Sequence, residues 1–400
     1  MKVTMFHLMP YPRLSDEVIA AHESYWVTMP NSHYDPKVGH DTYNKYLDEL
    51  ELADELGFDG VAVNEHHQTP YGMMPSPIVT ASALARRTRR CKIAILGSAF
   101  CLREHPLTLA EEHAMIDNIT GGRLITGFVR GVGAEYSVFG VNPVYSHERH
   151  YEAHDLVVQA WTRPGPFAFE GKHYHVEYVN VWPRPYQQPH PPIWCPSQGS
   201  NETIDWAAHP DRKYLYLQNF NPFSAAVKYL NYYREVAHSR YGYEATSDQL
   251  GFGAPVYVAD TDEQAMNEAR PHIEFLFNKA FKMPAGMFFP PGYTSPASLR
   301  QIVSAKTSIM AAQKTIELLA EQRVIIVGSP DTVIRQLTDC HRQLGFSNYV
   351  AMLQFGSMPH AQAVGNIERF ARDVLPALQA LDDRNYRGFE MPKAASAVAR

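Results

Sequence analysis

Cysteine is scarce in this chain. Its 400 residues hold four, Cys91, Cys101, Cys195 and Cys340, with no C-x-x-C spacing among them. They read as reduced thiols of a cytoplasmic protein rather than a disulfide framework. Long apolar runs are missing too, so no membrane span is expected. Pro10 and Pro12 follow the first apolar run too soon for a signal peptide. Positive charge is not concentrated: the net charge is −6, and the densest basic run, Arg86-Arg87-Thr88-Arg89-Arg90, reads as a helix end. That argues against a nucleic-acid or other polyanionic partner. Gly131-Val132-Gly133 lacks the third glycine of a dinucleotide fingerprint, so no NAD(P)H-binding Rossmann module is expected. There is no internal repeat and no low-complexity segment.

What is present alternates strand with helix. Strands are predicted near 3–8, 58–64, 92–98, 124–129, 193–196, 214–218, 250–258 and 348–353. Helices are predicted at 77–90, 106–119, 147–161, 222–240, 261–278, 297–320, 330–344 and 361–380. A further helix, capped by Asp41 or Thr42, carries the apolar face Tyr43, Tyr46, Leu47, Leu50, Ala53 and Leu56 and stops at Gly57. Eight strand–helix pairs favour a closed (β/α)8 TIM barrel over an open doubly wound sheet. One barrel domain over 1–385 is expected, with a loosely attached tail at 386–400. Three insertions interrupt it. Residues 9–40 form a long excursion after the first strand. Residues 164–192 are proline-rich and contain a hairpin pattern over 167–176. Residues 279–296, with Pro284, Gly286, Pro290, Pro291 and Gly292, are too long for a simple connector and suit a lid.

Four stretches carry candidate chemistry. The second strand ends in Glu65-His66-His67. In a (β/α)8 barrel that end is where chemistry is done, and histidine moves protons near neutral pH. Such histidines can also merely cap a strand; the motifs that follow favour the chemical role. After the fifth strand, Ser200 is placed as an N-cap with Thr203 three residues on, and Gly199 and Asn201 share that turn. Free N–H groups there suit a phosphate, although a plain capped helix looks the same. Gly97-Ser98-Ala99-Phe100 puts small residues at a strand end, where a flat ring can lie against backbone. Gly127 to Gly133 carries Arg130 among glycines, and Arg149 in the next helix can reach the same anion, although either arginine can simply pair with a carboxylate.

Together these motifs, with Gly121-Gly122-Arg123-Leu124, Val327-Gly328-Ser329-Pro330 and Gln354-Phe355-Gly356-Ser357 in the same order, resemble the bacterial luciferase-like flavin monooxygenase family over roughly residues 1–380. The resemblance implies a barrel that binds reduced FMN at its C-terminal mouth and reacts it with O2 through a flavin peroxide or hydroperoxide. It implies that His66 is the active-site histidine, acting as acid or base and oriented by Glu65 or His67. It places Ala99-Phe100 at a cis peptide beneath the isoalloxazine. It gives the flavin phosphate to Arg130, Arg149, Ser200 and Thr203, in the turn with Gly199 and Asn201. Val129 stands where luciferase has a reactive cysteine, so light emission is not implied. A small organic substrate, a separate NAD(P)H:flavin reductase and a homodimer or dimer-based oligomer are the implied partners.

Other classes compete with this one. A deazaflavin hydride-transfer enzyme uses a similar pocket. A TIM-barrel metal hydrolase would need Glu65-His66-His67, His150-x-x-x-His154 and His173-x-His175 to converge, and no metal site is expected from them. A non-enzymatic binding barrel is the third class; the light-organ flavoproteins that the resemblance brings with it tend to lose barrel elements, and all eight pairs are expected here.

Overall fold

The computed structural model describes residues 1–12, 14–310 and 313–382. The expected tail, 386–400, lies outside them. Eleven strands run β1 (Lys2–Phe6), β2 (Gly60–Val63), β3 (Lys92–Ser98), β4 (Leu124–Phe128), β5 (Phe167–Glu170), β6 (His175–Val179), β7 (Ile193–Ser197), β8 (Leu215–Asn219), β9 (Leu250–Val258), β10 (Ile326–Gly328) and β11 (Asn348–Met352). Eight of them pair in parallel in the order β1-β2-β3-β4-β7-β8-β9-β11, and β11 returns to β1, so the sheet closes. This is the (β/α)8 barrel read from the strand count.

Alternation along each strand sorts the core into two layers. In β2 and β3, Ala62, Ala94 and Leu96 face the barrel interior with Phe6, Ile125, Trp194, Leu217 and Val350. Their neighbours Val61, Val63, Ile93 and Ile95 face the helices. At Gly251 an added Cβ would sit 2.9 Å from Leu217 and 3.0 Å from Leu215, so these inward leucines need a glycine opposite them.

Three local differences from the sequence reading have physical causes. The helix expected from Asp41 or Thr42 starts earlier, at Pro36–Glu55. Asp35 is its N-cap, accepting from the Lys37 N–H at 2.8 Å, and Pro36 presets φ in the first turn. Residues 36–40 therefore belong to this helix and not to the excursion. β10 was not expected; it lies outside the barrel and extends the second half of β9. The helix expected over 297–320 is two, Pro296–Met310 and Ile316–Glu321.

The insertions gather at the barrel mouth and along its flank. β5 and β6 form the expected antiparallel hairpin. Its turn wraps the Glu152 carboxylate, which accepts from the backbone N–H of Lys172, His173 and Tyr174 at 2.6–2.9 Å. Ser24 Oγ, in the first excursion, donates to the Lys282 carbonyl at 2.6 Å and joins that excursion to the 279–296 segment. No helix among the described residues is long and apolar enough to cross a membrane.

Candidate active site

The C-terminal ends of the strands open into a cavity of about 500 Å³. Its floor is the close approach of β3 and β4. A Cβ on Gly127 would meet the Ile95 carbonyl at 2.3 Å, and one on Gly97 would meet the Gly127 carbonyl at 2.8 Å. Of the stretch predicted to admit a flat ring, only Gly97 lines this floor, beside Leu96; Ser98, Ala99 and Phe100 do not. The cis peptide expected at Ala99-Phe100 is found instead at Leu96–Gly97. Ala99 and Phe100 sit behind the wall, buried, with Phe100 stacked on Phe128 at 4.3 Å. Behind the same floor, His113 joins the two strands, 3.0 Å from Ser98 Oγ and 2.7 Å from Thr126 Oγ1. Burial pushes its pKa down to about 3, so it is a neutral structural residue.

One end of the cavity is built around His66. Its Nδ1 lies 3.1 Å from Glu135 Oε1, and the Glu135 side chain is only 4% exposed. A carboxylate only accepts, so Nδ1 carries the proton and Nε2 is the basic nitrogen. Among the described residues Nε2 has no protein partner. The other Glu135 oxygen accepts the Val132 N–H at 2.8 Å, which fixes the carboxylate. This corrects the expected orienting partners. Glu65 lines the cavity, but its two oxygens hold Arg103 and His67 at 2.9 Å each and the Ala99 N–H at 3.3 Å. His67 turns away from the cavity, edge-on to Phe139 at 4.7 Å. Trp26 and Tyr71 stack at 3.8 Å, and each meets the His66 ring at 5.1 Å. Trp26 of the first excursion and Tyr71 of the loop after β2 thus supply an aromatic wall that the sequence motifs did not reveal.

The other end is polar and cationic. Arg130 Nη1 donates to Ser146 Oγ at 3.0 Å and to the Tyr293 carbonyl at 2.7 Å, and its guanidinium lies 4.3 Å from the Tyr293 ring centre. No carboxylate among the described residues pairs with it. Ser200 Oγ accepts the Thr203 N–H at 3.3 Å and lies 2.7 Å from Thr203 Oγ1, as the capping pattern predicted. Both side chains line the cavity; Gly199 and Asn201 do not. Gly199 instead packs its backbone on Tyr229, where a Cβ would come within 2.3 Å of the ring. Arg149 is also outside the lining. Its guanidinium donates to the Cys101 carbonyl at 2.9 Å and the Arg103 carbonyl at 3.1 Å. The neighbouring His150 faces the cavity in its place. Burial holds the His150 pKa well below the ordinary value and His147 at about 4, and the Arg130 charge lowers both further. Both are therefore neutral. Among the described residues, the buried His150 Nδ1 and Thr294 Oγ1 at this end have no hydrogen-bond partner. Orphaned polar atoms beside an unpaired arginine and two hydroxyls fit a phosphate group.

The 279–296 segment roofs the cavity with Met283, Phe288, Phe289 and Tyr293. It rests on the start of the helix Gly133–Phe139, where a Cβ on Gly133 would strike the Phe288 carbonyl at 2.5 Å and Pro290 at 2.3 Å.

The histidines with ligand-like spacing do not converge. His173 lies on the hairpin, 3.0 Å from Glu148, while His154 bonds Tyr214 and Asp155 at 2.7 and 2.8 Å. Among the described residues no three His, Cys, Asp or Glu side chains form a metal-binding group.

The sequence profile of luciferase-like monooxygenases matches residues 23–348, and the chain belongs to that family. The oxygenase component of a flavin-dependent trigonelline monooxygenase from Acinetobacter baylyi is 23% identical over 343 residues, 84% of this chain and 89% of that one. The FMN complex of the oxygenating constituent of a Pseudomonas putida 3,6-diketocamphane monooxygenase, a type II Baeyer–Villiger enzyme, shares the fold. Its TM-score is 0.71 at 20% identity, over 94% of this chain and 98% of that one. A coenzyme F420-dependent tetrahydromethanopterin reductase from Methanopyrus kandleri shares it as well, with a TM-score of 0.62 at 19% identity over 84% and 96% of the two chains.

Proposed function

We propose that this chain is the oxygenase of a two-component system, using reduced FMN and O2 to oxygenate a small organic substrate. The observation that carries this reading is the polarity of the cavity. One end offers Arg130, Ser200, Thr203 and the orphaned His150 Nδ1 and Thr294 Oγ1 to a phosphate, and the other offers His66 among aromatic rings. Bound reduced FMN would supply the two electrons that let O2 deliver one oxygen atom to substrate and the other to water.

The protein's own part follows from its residues. The phosphate end fixes the cofactor by charge-assisted hydrogen bonds. Leu96 and Gly97 line the floor on which a flat ring would rest. His66 Nε2 accepts or returns a proton at the reacting edge of the substrate, and Glu135 holds the ring in the tautomer that leaves Nε2 basic. The aromatic wall and the 279–296 roof keep bulk water from the reacting groups. A separate NAD(P)H:flavin reductase as electron donor is supported by the relative described as an oxygenase component.

Anaerobic titration with reduced FMN, reduced riboflavin and a reduced deazaflavin tests the cofactor. Reduced FMN should bind tightest, and admitting 18O2 should put one labelled atom into product. Preferential deazaflavin binding, with hydride transfer that ignores O2, would refute the oxygenase reading in favour of the deazaflavin one.

We also infer a homodimer. Val79 and Met115 are 70% and 51% exposed on the helices Pro77–Arg87 and Pro106–Thr120, and Ile119 shares the second helix's outer face at 50%. A second copy covering that face accounts for such exposure. Sedimentation of the protein with Met115→Glu and Ile119→Glu should shift toward monomer; an unchanged dimer would place the interface elsewhere.

A further inference from the structure

The cavity holds a second cation for which neither the phosphate end nor His66 accounts. Lys314 lines it, and among the described residues its ammonium has no carboxylate and no hydrogen-bond acceptor. Its backbone is clamped. Asn278 Oδ1 accepts the Lys314 N–H at 2.9 Å, and Asn278 Nδ2 donates to the Lys314 carbonyl at 2.8 Å. Asn278 itself sits in a π-turn, Leu276–Ala280, a local widening of the helix that recurs at functional sites. Burial lowers the Lys314 pKa with no anion opposing it, so its charge is uncompensated.

The acids of the wall do not serve it. Glu65 is held by Arg103, His67 and the Ala99 N–H, and Glu135 by His66 and the Val132 N–H. Arg130 is held at Ser146 and Tyr293, and Lys314 at Asn278, so the two cations have no protein partner in common. The other lysine of the wall, Lys282, is exposed to solvent.

A run of rings leads to His66 from Phe277, the neighbour of the Asn278 that clamps the Lys314 backbone. Phe277, next to Asn278, meets Phe281 at 5.1 Å. Phe281 meets Tyr71 at 5.3 Å and Trp26 at 6.1 Å, and both of those rings face His66. An ammonium without a carboxylate, a proton-moving nitrogen and aromatic faces lining one cavity match a planar molecule that carries an anionic group and a reacting edge.

We propose that the substrate is a small aromatic carboxylate, held by Lys314 through its carboxylate and by Phe277, Phe281, Tyr71 and Trp26 through its ring. This rests on the oxygenase reading only for what happens at His66; the binding site stands on its own residues. Calorimetry on the whole protein, with and without FMN, tests it using benzoate, the neutral benzamide and cyclohexanecarboxylate. Benzoate should bind about tenfold or more tighter than benzamide, because one charge-assisted contact is gained. Cyclohexanecarboxylate should bind more weakly than benzoate. Lys314→Met should weaken benzoate about 10–100-fold, erase the preference over benzamide, and leave benzamide and FMN unchanged. Lys314→Arg should keep the preference. No anion preference in the parent, no binding of any probe, or equal losses for benzoate and benzamide in Lys314→Met would each overturn the proposal. If benzoate binds selectively while FMN does not bind at all, the oxygenase reading fails and the carboxylate site stands.

Discussion

Arg130→Met separates phosphate recognition from every other task of the cavity. Among the described residues, only Nη1 of Arg130 is hydrogen-bonded to protein, at Ser146 Oγ and the Tyr293 carbonyl. The guanidinium also lies against the Tyr293 ring, and its remaining N–H groups, with no carboxylate beside them among the described residues, are left for a ligand. A hydrogen bond to a charged group contributes about 1.5–3 kcal/mol, so losing it should weaken FMN about 10–100-fold. Riboflavin carries the same ring and ribityl chain without the phosphate, so its affinity should change by less than about threefold, the residue of any loosened roof at Tyr293. Arg130→Lys keeps a charge but not the planar fork and should fall between the two. The assay is fluorescence quenching of oxidised FMN and riboflavin, with thermal melting to confirm folding. Equal weakening of both flavins would show that Arg130 acts on the roof and does not see the phosphate.

Other expectations follow from the same geometry. His66→Ala should fold normally and lose turnover by about 10²–10⁴-fold; Glu135→Gln should lose a comparable amount, and 15N NMR of labelled histidine should show the proton moving from Nδ1 to Nε2, whereas an unchanged tautomer would remove Glu135 from the mechanism. Gly133→Ala should push the roof off its seat, because its Cβ meets the rigid Met287 and Phe288 carbonyls at 2.6 and 2.5 Å; hydrogen exchange over 285–293 should quicken and reduced flavin should be consumed with more hydrogen peroxide per product, while flavin affinity stays level. His113 makes the fold acid-sensitive. Its folded pKa of about 3 lies below the unfolded 6.5, so the unfolded chain takes up the proton first and stability is lost as pH falls from 6.5 towards 3. At pH 5 the loss is about 2 kcal/mol, and His113→Gln should remove that share of the difference between urea melts at pH 7 and pH 5; identical pH dependence in the two proteins would contradict it.

The barrel was legible because its signals are local. Strand alternation, the stop at Gly57 and the strand-end motifs each span a few residues, and a helix–strand period needs no knowledge of the rest of the chain. β10 escaped because three residues, Ile326–Gly328, carry too little pattern to separate them from the turn that follows. Glu135 escaped for a different reason. It reads as an ordinary acid in the first turn of the helix Gly133–Phe139, and only closure of the barrel brings it to His66, 69 positions away. Trp26 lies in an excursion without periodicity, so nothing in its neighbours announces that it will stack on Tyr71.

The arginines show where residue type stops and geometry begins. Arg130 and Arg149 are alike in sequence terms: each is a cation near a strand end or helix start, and each is compatible with a phosphate. What separates them is the rotation of the helix Ser146–Thr162 about its axis. Successive residues on a helix point about 100° apart, so once His150 faces the cavity, Arg149 must face elsewhere. It turns to the carbonyls of Cys101 and Arg103, and in doing so ties the loop after β3 to that helix. The rotation is set by burial of Leu156, Val157, Ala160 and Trp161 along the rest of the helix, with the Trp161 indole donating to the Ala110 carbonyl at 2.9 Å. The choice between arginine and histidine at the proposed phosphate end is therefore made about two to three turns away, by core packing, in residues that carry no chemistry of their own.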